Sequence, residues 1–158
     1  MKIALVHDWL TNMGGAERVV INFKQAYPGA PIYTTLYNPN NLDNELKNID
    51  VRTSFLQNKK GAIYNHQKQF PYMPAAFESF DLNEYDVVLS SSSSCAKGVI
   101  TSPNTMHICY CHSPMRYGWE FYYEYADKEG LSKSKKKLLK YFMNYMRVWD
   151  NVSSNRVD

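Results

Sequence analysis

No stretch of this chain stays apolar for the ~20 residues that a helix needs to span a bilayer. Nor does it open on a charged-then-apolar secretory leader, because the first apolar run begins directly behind Lys2. Cysteine is sparse and odd in number. Cys95, Cys109 and Cys111 supply neither a C-x-x-C pair nor an even disulfide framework, and a reducing, cytoplasmic setting is expected. The dinucleotide fingerprint G-x-G-x-x-G is missing, as is the P-loop with its Lys-Ser/Thr ending, which disfavours a dehydrogenase or a P-loop nucleotidase. Strong charge is missing too, outside one segment. Lys133, Lys135, Lys136, Lys137 and Lys140 account for the net charge of +3, and without them the chain is slightly acidic. No nucleic-acid-binding motif stands behind these lysines, so nucleic acid is not an expected partner.

What is present describes one domain. A length of 158 residues with 44% apolar and 21% charged side chains is enough for a single core and too little for two. Thirteen tyrosines lift the aromatic share to 15%, a composition that suits cores, interfaces and sugar-binding surfaces alike. Ile3-Ala4-Leu5-Val6 reads as a strand buried on both faces. Residues 16–27 carry apolar side chains at helical spacing and end at Pro28-Gly29-Ala30-Pro31. Strands are expected over residues 32–37, 49–53, 86–89 and 106–111. Two short helices interrupted by Pro71 and Pro74 are expected over 61–80, and the last forty residues read as helical. This alternation predicts an α/β fold with a Rossmann-like, mostly parallel sheet flanked by helices. Such sheets bind ligands beyond the carboxyl ends of their strands, at the point where strand order reverses. His7-Asp8-Trp9 to Gly14-Gly15, Ser91 to Ser94 and His112-Ser113-Pro114 follow the strands there, and the cleft edge is expected at Asp8, Gly14, Gly15, Ser93, Ser94, His112 and Arg116.

Each of these signals has two readings. Gly14-Gly15 between strand and helix fits a simple turn, and equally a backbone that meets a phosphate at a helix N-terminus. His112 before Ser113-Pro114 fits a turn-stabilising histidine or a ligand contact. His107, Cys109 and Cys111 share a strand face without the spacing of a metal site, so no metal is expected. Residues 133–149 place Leu138, Phe142, Tyr145, Met146 and Trp149 on one helical side and Lys136, Lys137, Lys140, Asn144 and Arg147 on the other. That suits a helix covering the sheet, or one resting on an anionic membrane.

Taken in order, Met1-Lys2-Ile3-Ala4-Leu5-Val6-His7-Asp8-Trp9-Leu10 and Gly14-Gly15-Ala16-Glu17-Arg18-Val19 resemble the opening of the group-1, family 4 retaining glycosyltransferases. Val51-Arg52-Thr53-Ser54-Phe55-Leu56 and Tyr85-Asp86-Val87-Val88-Leu89-Ser90-Ser91-Ser92 look similar to later stretches of that family. So does Cys109-Tyr110-Cys111-His112-Ser113-Pro114-Met115-Arg116-Tyr117, followed by Trp119 and residues 122–125. The branch it resembles includes mannosyltransferases of surface-polysaccharide assembly.

The resemblance implies the acceptor-side, N-terminal lobe of a two-lobed GT-B enzyme. It implies a nucleotide-sugar donor, with GDP-mannose first in view, a glycan or lipid-linked acceptor, and no cofactor or metal. Gly14 and Gly15 match the glycine loop near the donor diphosphate. His112 matches the catalytic histidine beside the transferring sugar. The donor-binding C-terminal lobe, with its basic residues and paired glutamates, has no counterpart in the sequence, and the chain stops where the family continues into another strand. A truncated half-enzyme, inactive alone, is therefore expected. With it go a cytoplasmic location, peripheral contact with the inner membrane face through 133–149, and either self-association or a tail folded over an open sheet edge. A non-catalytic glycan-binding module and a small complete hydrolase or nucleotide-binding protein are the rival readings.

Overall fold

The computed structural model describes residues 1–116, 118–120 and 132–158; Tyr117 and residues 122–125 of the family-like segment lie outside them. Five strands, β1 (Ile3–His7), β2 (Ile32–Thr34), β3 (Val51–Thr53), β4 (Val87–Ser92) and β5 (Met106–Cys111), form one sheet in the order β3-β2-β1-β4-β5. Every pairing is parallel. Among the described residues the α-helices are α1 (Gly15–Ala26), α2 (Met73–Glu78) and α3 (Lys133–Ser154). The fold is the Rossmann-like α/β arrangement that the alternating pattern predicts.

The larger boundary differences have physical reasons. β2 stops at Thr34 because the amide and hydroxyl of Thr35 both donate to the Asp8 carbonyl, which turns the chain away; Tyr37 then makes only an isolated bridge with Leu10. β4 runs on through Ser92, so Ser90, Ser91 and Ser92 are strand residues and not the loop beyond it. These small side chains are buried between β1 and β5, and the Ser90 hydroxyl bonds His107 Nε2 at 2.9 Å. The segment 61–80 forms 3₁₀ turns over Ala62–Tyr64 and His66–Tyr72 before α2, with Pro71 inside the second turn and Pro74 in the first turn of α2.

Side chains alternate across the sheet. Leu5, Ile32 and Leu89 face α1 together with Leu10, Val20, Leu42 and Leu46. Ala4, Val6, Tyr33 and Val88 face α2, the 3₁₀ turns and α3. The buried side of α3 is Met143, Met146, Trp149, Asp150 and Ser153, with Leu139 and Phe142 partly covered. This corrects the expected face in part: Phe142, Met146 and Trp149 turn inward as expected, but Leu138 is 71% exposed and Tyr145 also faces solvent, in a row with Tyr141, Val148 and Val152.

Polar anchors decide which side of α3 docks. Lys97 and Asp150 form a buried ion pair, and the Trp119 indole donates to the second Asp150 oxygen at 2.9 Å. Glu78 accepts from Trp149 Nε1 at 2.9 Å and from Arg156 at 2.8 Å. Because α3 packs with Val88, it leaves Met106, Ile108 and Tyr110 exposed on the opposite face of β5. At the outer edge of β5, the Asp158 amide donates to the His107 carbonyl at 3.0 Å and its carboxylate accepts from the His107 amide at 2.8 Å.

Gly98 is where the Trp149 ring presses against backbone, and a Cβ there would lie inside that ring's contact distance. Gly98→Ala should therefore destabilise the chain by about 1–3 kcal/mol, the usual range for overpacking a filled site. Urea unfolding checks this, and an unchanged midpoint would show that α3 does not depend on the slot.

Candidate functional site

Strand order reverses between β1 and β4: the chain passes from β1 to β2 on one side and returns to β4 on the other. The crevice expected at such a switch point lies at the carboxyl ends of these two strands. Asp8, directly after β1, is 1% exposed. Its Oδ2 accepts from the Ser93 amide at 2.7 Å and the Ser93 hydroxyl at 3.0 Å. Its Oδ1 accepts from the amides of Cys95 at 2.8 Å and Ala96 at 2.7 Å. A buried carboxylate holding backbone N–H groups in this way shapes the loop after β4.

The glycine pair opens α1. Gly14 is its extended N-cap residue and offers no side-chain cap; a Cβ on Gly15 would meet nothing within 4 Å. The first amides of α1 therefore have no side-chain cap from this position, and the helix dipole favours an anion near them. Glu17, in this first turn, is buried, and a Cβ on Gly14 would lie 2.9 Å from its Oε2. Glycine at position 14 is thus what lets the Glu17 carboxylate fold back against the loop.

Glu17 faces His7, the last residue of β1, which is 2% exposed; Nε2 stands 3.6 Å from Oε1. His7 Nδ1 lies 3.1 Å from the Ser91 carbonyl oxygen and 3.2 Å from the Ser91 hydroxyl. The same hydroxyl is 2.8 Å from His112 Nε2, and the Tyr110 ring packs edge-on against His112. A continuous polar chain thus runs Glu17–His7–Ser91–His112 across the carboxyl ends of β1, β4 and β5. Nearby, Trp9 stacks on His66 with ring centroids 4.7 Å apart.

Burial pushes the Glu17 carboxyl upward, but the hydrogen bond and charge of His7 and Glu17's own backbone outweigh it, and the net shift is downward. Burial lowers His112, the neighbouring His7 adds to that, and Asp8 and Glu17 oppose it. His66 and His107 are also lowered, chiefly by burial. His112 therefore stays neutral at pH 7.

The structure brings Asp8, Ser93 and Ser94 together at the end of β4, opens α1 with Gly14 and Gly15, and sets His112 over Ser91. Ser94 is buried, with its hydroxyl against the Cys95 sulfur at 3.4 Å. Arg116 stands exposed beyond β5, and no hydrogen bond among the described residues ties it to the others. His107 Nε2 is committed to Ser90, and burial pushes the Cys95 thiol far up, away from a reactive thiolate. Among the described residues no three His, Cys, Asp or Glu side chains converge as a metal site, and no helix is long and apolar enough to cross a membrane. A surface groove of about 540 Å³ opens at the other end of the strands, beside Lys2, Arg52 and Glu84, away from this edge.

Sequence reasoning put His7 and Ser91 among the residues that end the strands at this edge but chose neither of them, nor Glu17, as a site residue. The available signal was a polar, titratable residue ending a strand otherwise buried on both faces, and an acidic residue in the first turn of a helix that follows two glycines.

Two outcomes follow from this geometry. Asp8→Ala strands the buried amides of Cys95 and Ala96, and at about 1–3 kcal/mol for each unmet donor it should destabilise the chain by roughly 3 kcal/mol. Urea melts check it, with Ser93→Ala, which removes one hydroxyl bond from the half-buried Ser93, expected to cost less. The second outcome concerns pH. His66, His107 and His112 sit below their ordinary 6.5 in the folded chain, so the unfolded chain takes up protons first as pH falls. Their contribution to stability is intact above 6.5 and is lost on acidification until the folded rings protonate. The urea midpoint should be lower near pH 5.5 than near pH 7.5; a rise on acidification would contradict the assignment. Compared with known proteins, the chain matches no family model, no curated protein and no solved structure.

Proposed function

We propose that this chain is the acceptor-side lobe of a two-lobed, retaining glycosyltransferase that moves a hexosyl group from a nucleotide sugar to a glycan or lipid-linked acceptor. The observation that carries the reading is the placement of two features on one edge. The glycine-led N-terminus of α1 and the neutral His112 both stand at the carboxyl ends of the strands that flank the switch point. A donor diphosphate would lie against the α1 amides, and the transferring sugar within reach of His112. In the reaction, the bond from the anomeric carbon to the leaving diphosphate oxygen breaks with its electron pair, and a bond to the acceptor oxygen forms. The acceptor's proton passes to the leaving phosphate. GDP-mannose is the donor that the resemblance favours, in surface-polysaccharide synthesis at the inner face of the cell membrane.

Both carboxylates described at this edge, Asp8 and Glu17, are already engaged with the chain's own groups. The wall thus offers hydrogen-bond donors and no disengaged carboxylate, and transition-state stabilisation needs groups from a second lobe. The same observation favours the second reading, a glycan-binding module without chemistry, for the chain acting alone. Peripheral membrane contact is supported by the exposed row Leu138, Tyr141, Tyr145, Val148 and Val152, flanked by Lys137 and Lys140. Self-association is supported by the exposed Met106, Ile108 and Tyr110 beside the β5 edge.

Titrating GDP-mannose into the ¹⁵N-labelled chain should shift the amides of Gly14, Gly15 and His112, with a Kd on the order of 1 mM. A panel of GDP- and UDP-sugars with polyprenyl or oligosaccharide acceptors should give no sustained transfer. Silence at these three amides overturns the reading, and turnover by the chain alone overturns the need for a second lobe.

A further inference from the structure

We propose that Ser91, oriented by His7 and Glu17, fixes the tautomer of His112, keeping its proton on Nδ1 so that it presents an N–H donor to a ligand. This rests on the reading of His112 as the residue beside the transferring sugar, and adds how the chain prepares it. The bonding capacity of one hydroxyl decides the tautomer. Ser91 Oγ has a single proton and two lone pairs, and it lies between His7 Nδ1 at 3.2 Å and His112 Nε2 at 2.8 Å. If that proton went to His7, the lone pair of His7 Nδ1 would also face the Ser91 carbonyl oxygen at 3.1 Å, acceptor against acceptor inside a buried site. A proton on His7 Nδ1 removes the conflict, because it serves both the Ser91 carbonyl and the Ser91 hydroxyl oxygen. The hydroxyl proton is then free for the shorter of the two Ser91 contacts with histidine, to His112 Nε2. With Nε2 accepting, the proton of neutral His112 is on Nδ1, which has no hydrogen-bond partner among the described residues.

Glu17 completes the arrangement from the other side. His7 Nε2 faces its carboxylate at 3.6 Å, where a bare lone pair would repeat the acceptor-against-acceptor conflict; a proton on Nε2 as well lets the ring donate on both sides, to Ser91 and to Glu17. Gly14 keeps the carboxylate in place, since a Cβ at that position would come within 2.9 Å of Glu17 Oε2. His7, Glu17 and Ser91 are positioning residues; only His112 meets the ligand. The chemical consequence is selectivity for an acceptor. An Nδ1–H group recognises a hydroxyl or carbonyl oxygen of the sugar, and at neutral pH it is not a base.

The test is a two-bond ¹H–¹⁵N correlation spectrum of the full 158-residue chain with labelled histidine, which reports which nitrogen of each neutral ring is protonated. Free histidine favours the Nε2–H form. The native chain is expected to show the opposite form at His112, with Nδ1 protonated. Ser91→Ala should return His112 mainly to Nε2–H. His7→Asn, whose side-chain amide can replace the Nδ1–H donor, should keep Nδ1–H, whereas His7→Ala should lose it. A native His112 protonated on Nε2 overturns the proposal, and so does a Ser91→Ala chain that keeps the native form. Should Ser91→Ala fail to fold, the native spectrum and the two His7 variants still decide. Because the readout needs no ligand, its failure is separable from that of the glycosyltransferase reading, which shows in the GDP-mannose titration.

Discussion

The carboxylate of Asp8 receives four hydrogen bonds from the loop that leaves β4, and the arrangement of the whole carboxyl edge hangs on them. A charge buried at the end of a central strand is costly unless donors surround it. Here backbone amides of three residues and one hydroxyl converge on it, and the loop is thereby fixed to β1. The consequences run outward. The same loop carries Lys97 to its ion pair with Asp150 and leaves Gly98 as a slot for the Trp149 ring. The docking of α3 is therefore set, through a few residues, by an acidic side chain on the other side of the switch point.

A second buried carboxylate, Glu17, organises the ligand side of that edge as Asp8 organises the loop. It turns back from the first turn of α1 towards His7, and His7 connects through Ser91 to His112. Both carboxylates are thus engaged with the chain's own groups. What the edge presents instead is the N-terminus of a helix and a neutral imidazole, both suited to oxygen-rich ligands that carry negative charge. The chain's own negative groups are consumed in holding its donors, and in the proposed reading that leaves the surface to meet phosphate and sugar oxygens.

Much of the fold was legible because periodicity reports burial. The apolar run Ile3-Ala4-Leu5-Val6, the helix ending at Pro28 and the strands at 87 and 106 appear close to where the pattern places them. Gly14, Gly15 and His112 were legible as punctuation after strands. The serine run was not. Serine is ordinarily a turn and loop residue, and nothing in five consecutive serines says that three are strand residues buried between two neighbours. The Ser90 and Ser91 hydroxyls meet His107 and His112 only when β5 is laid beside β4, so Ser91 entered the site through tertiary pairing. His7 was hidden for a related reason: a lone histidine at the end of a buried strand shows its role only once the carboxylate opposite it is known.

The helix α3 shows the limit of amphipathic reasoning from the other direction. Its apolar residues occupy two neighbouring strips: Met143, Met146 and Trp149 on the core, and Leu138, Tyr141, Tyr145, Val148 and Val152 outside. Counting apolar side chains merges the two, so that Phe142, Met146 and Trp149 come out inside as they are but Leu138 and Tyr145 are placed with them. The choice between strips is made by polar groups that cannot be left unpaired. Asp150 must meet Lys97 and Trp119, and the Trp149 indole must meet Glu78. Rotating α3 to bury the outer strip would expose the Trp149 slot at Gly98 and strand Lys97 in a dry interior, a cost that breaking a buried ion pair sets at about 3–5 kcal/mol. The outer row is thus not a misplaced core. It is surface that the packing of this chain leaves uncovered while every anchor on the inner side is satisfied, and that is the physical basis for reading it as a contact face.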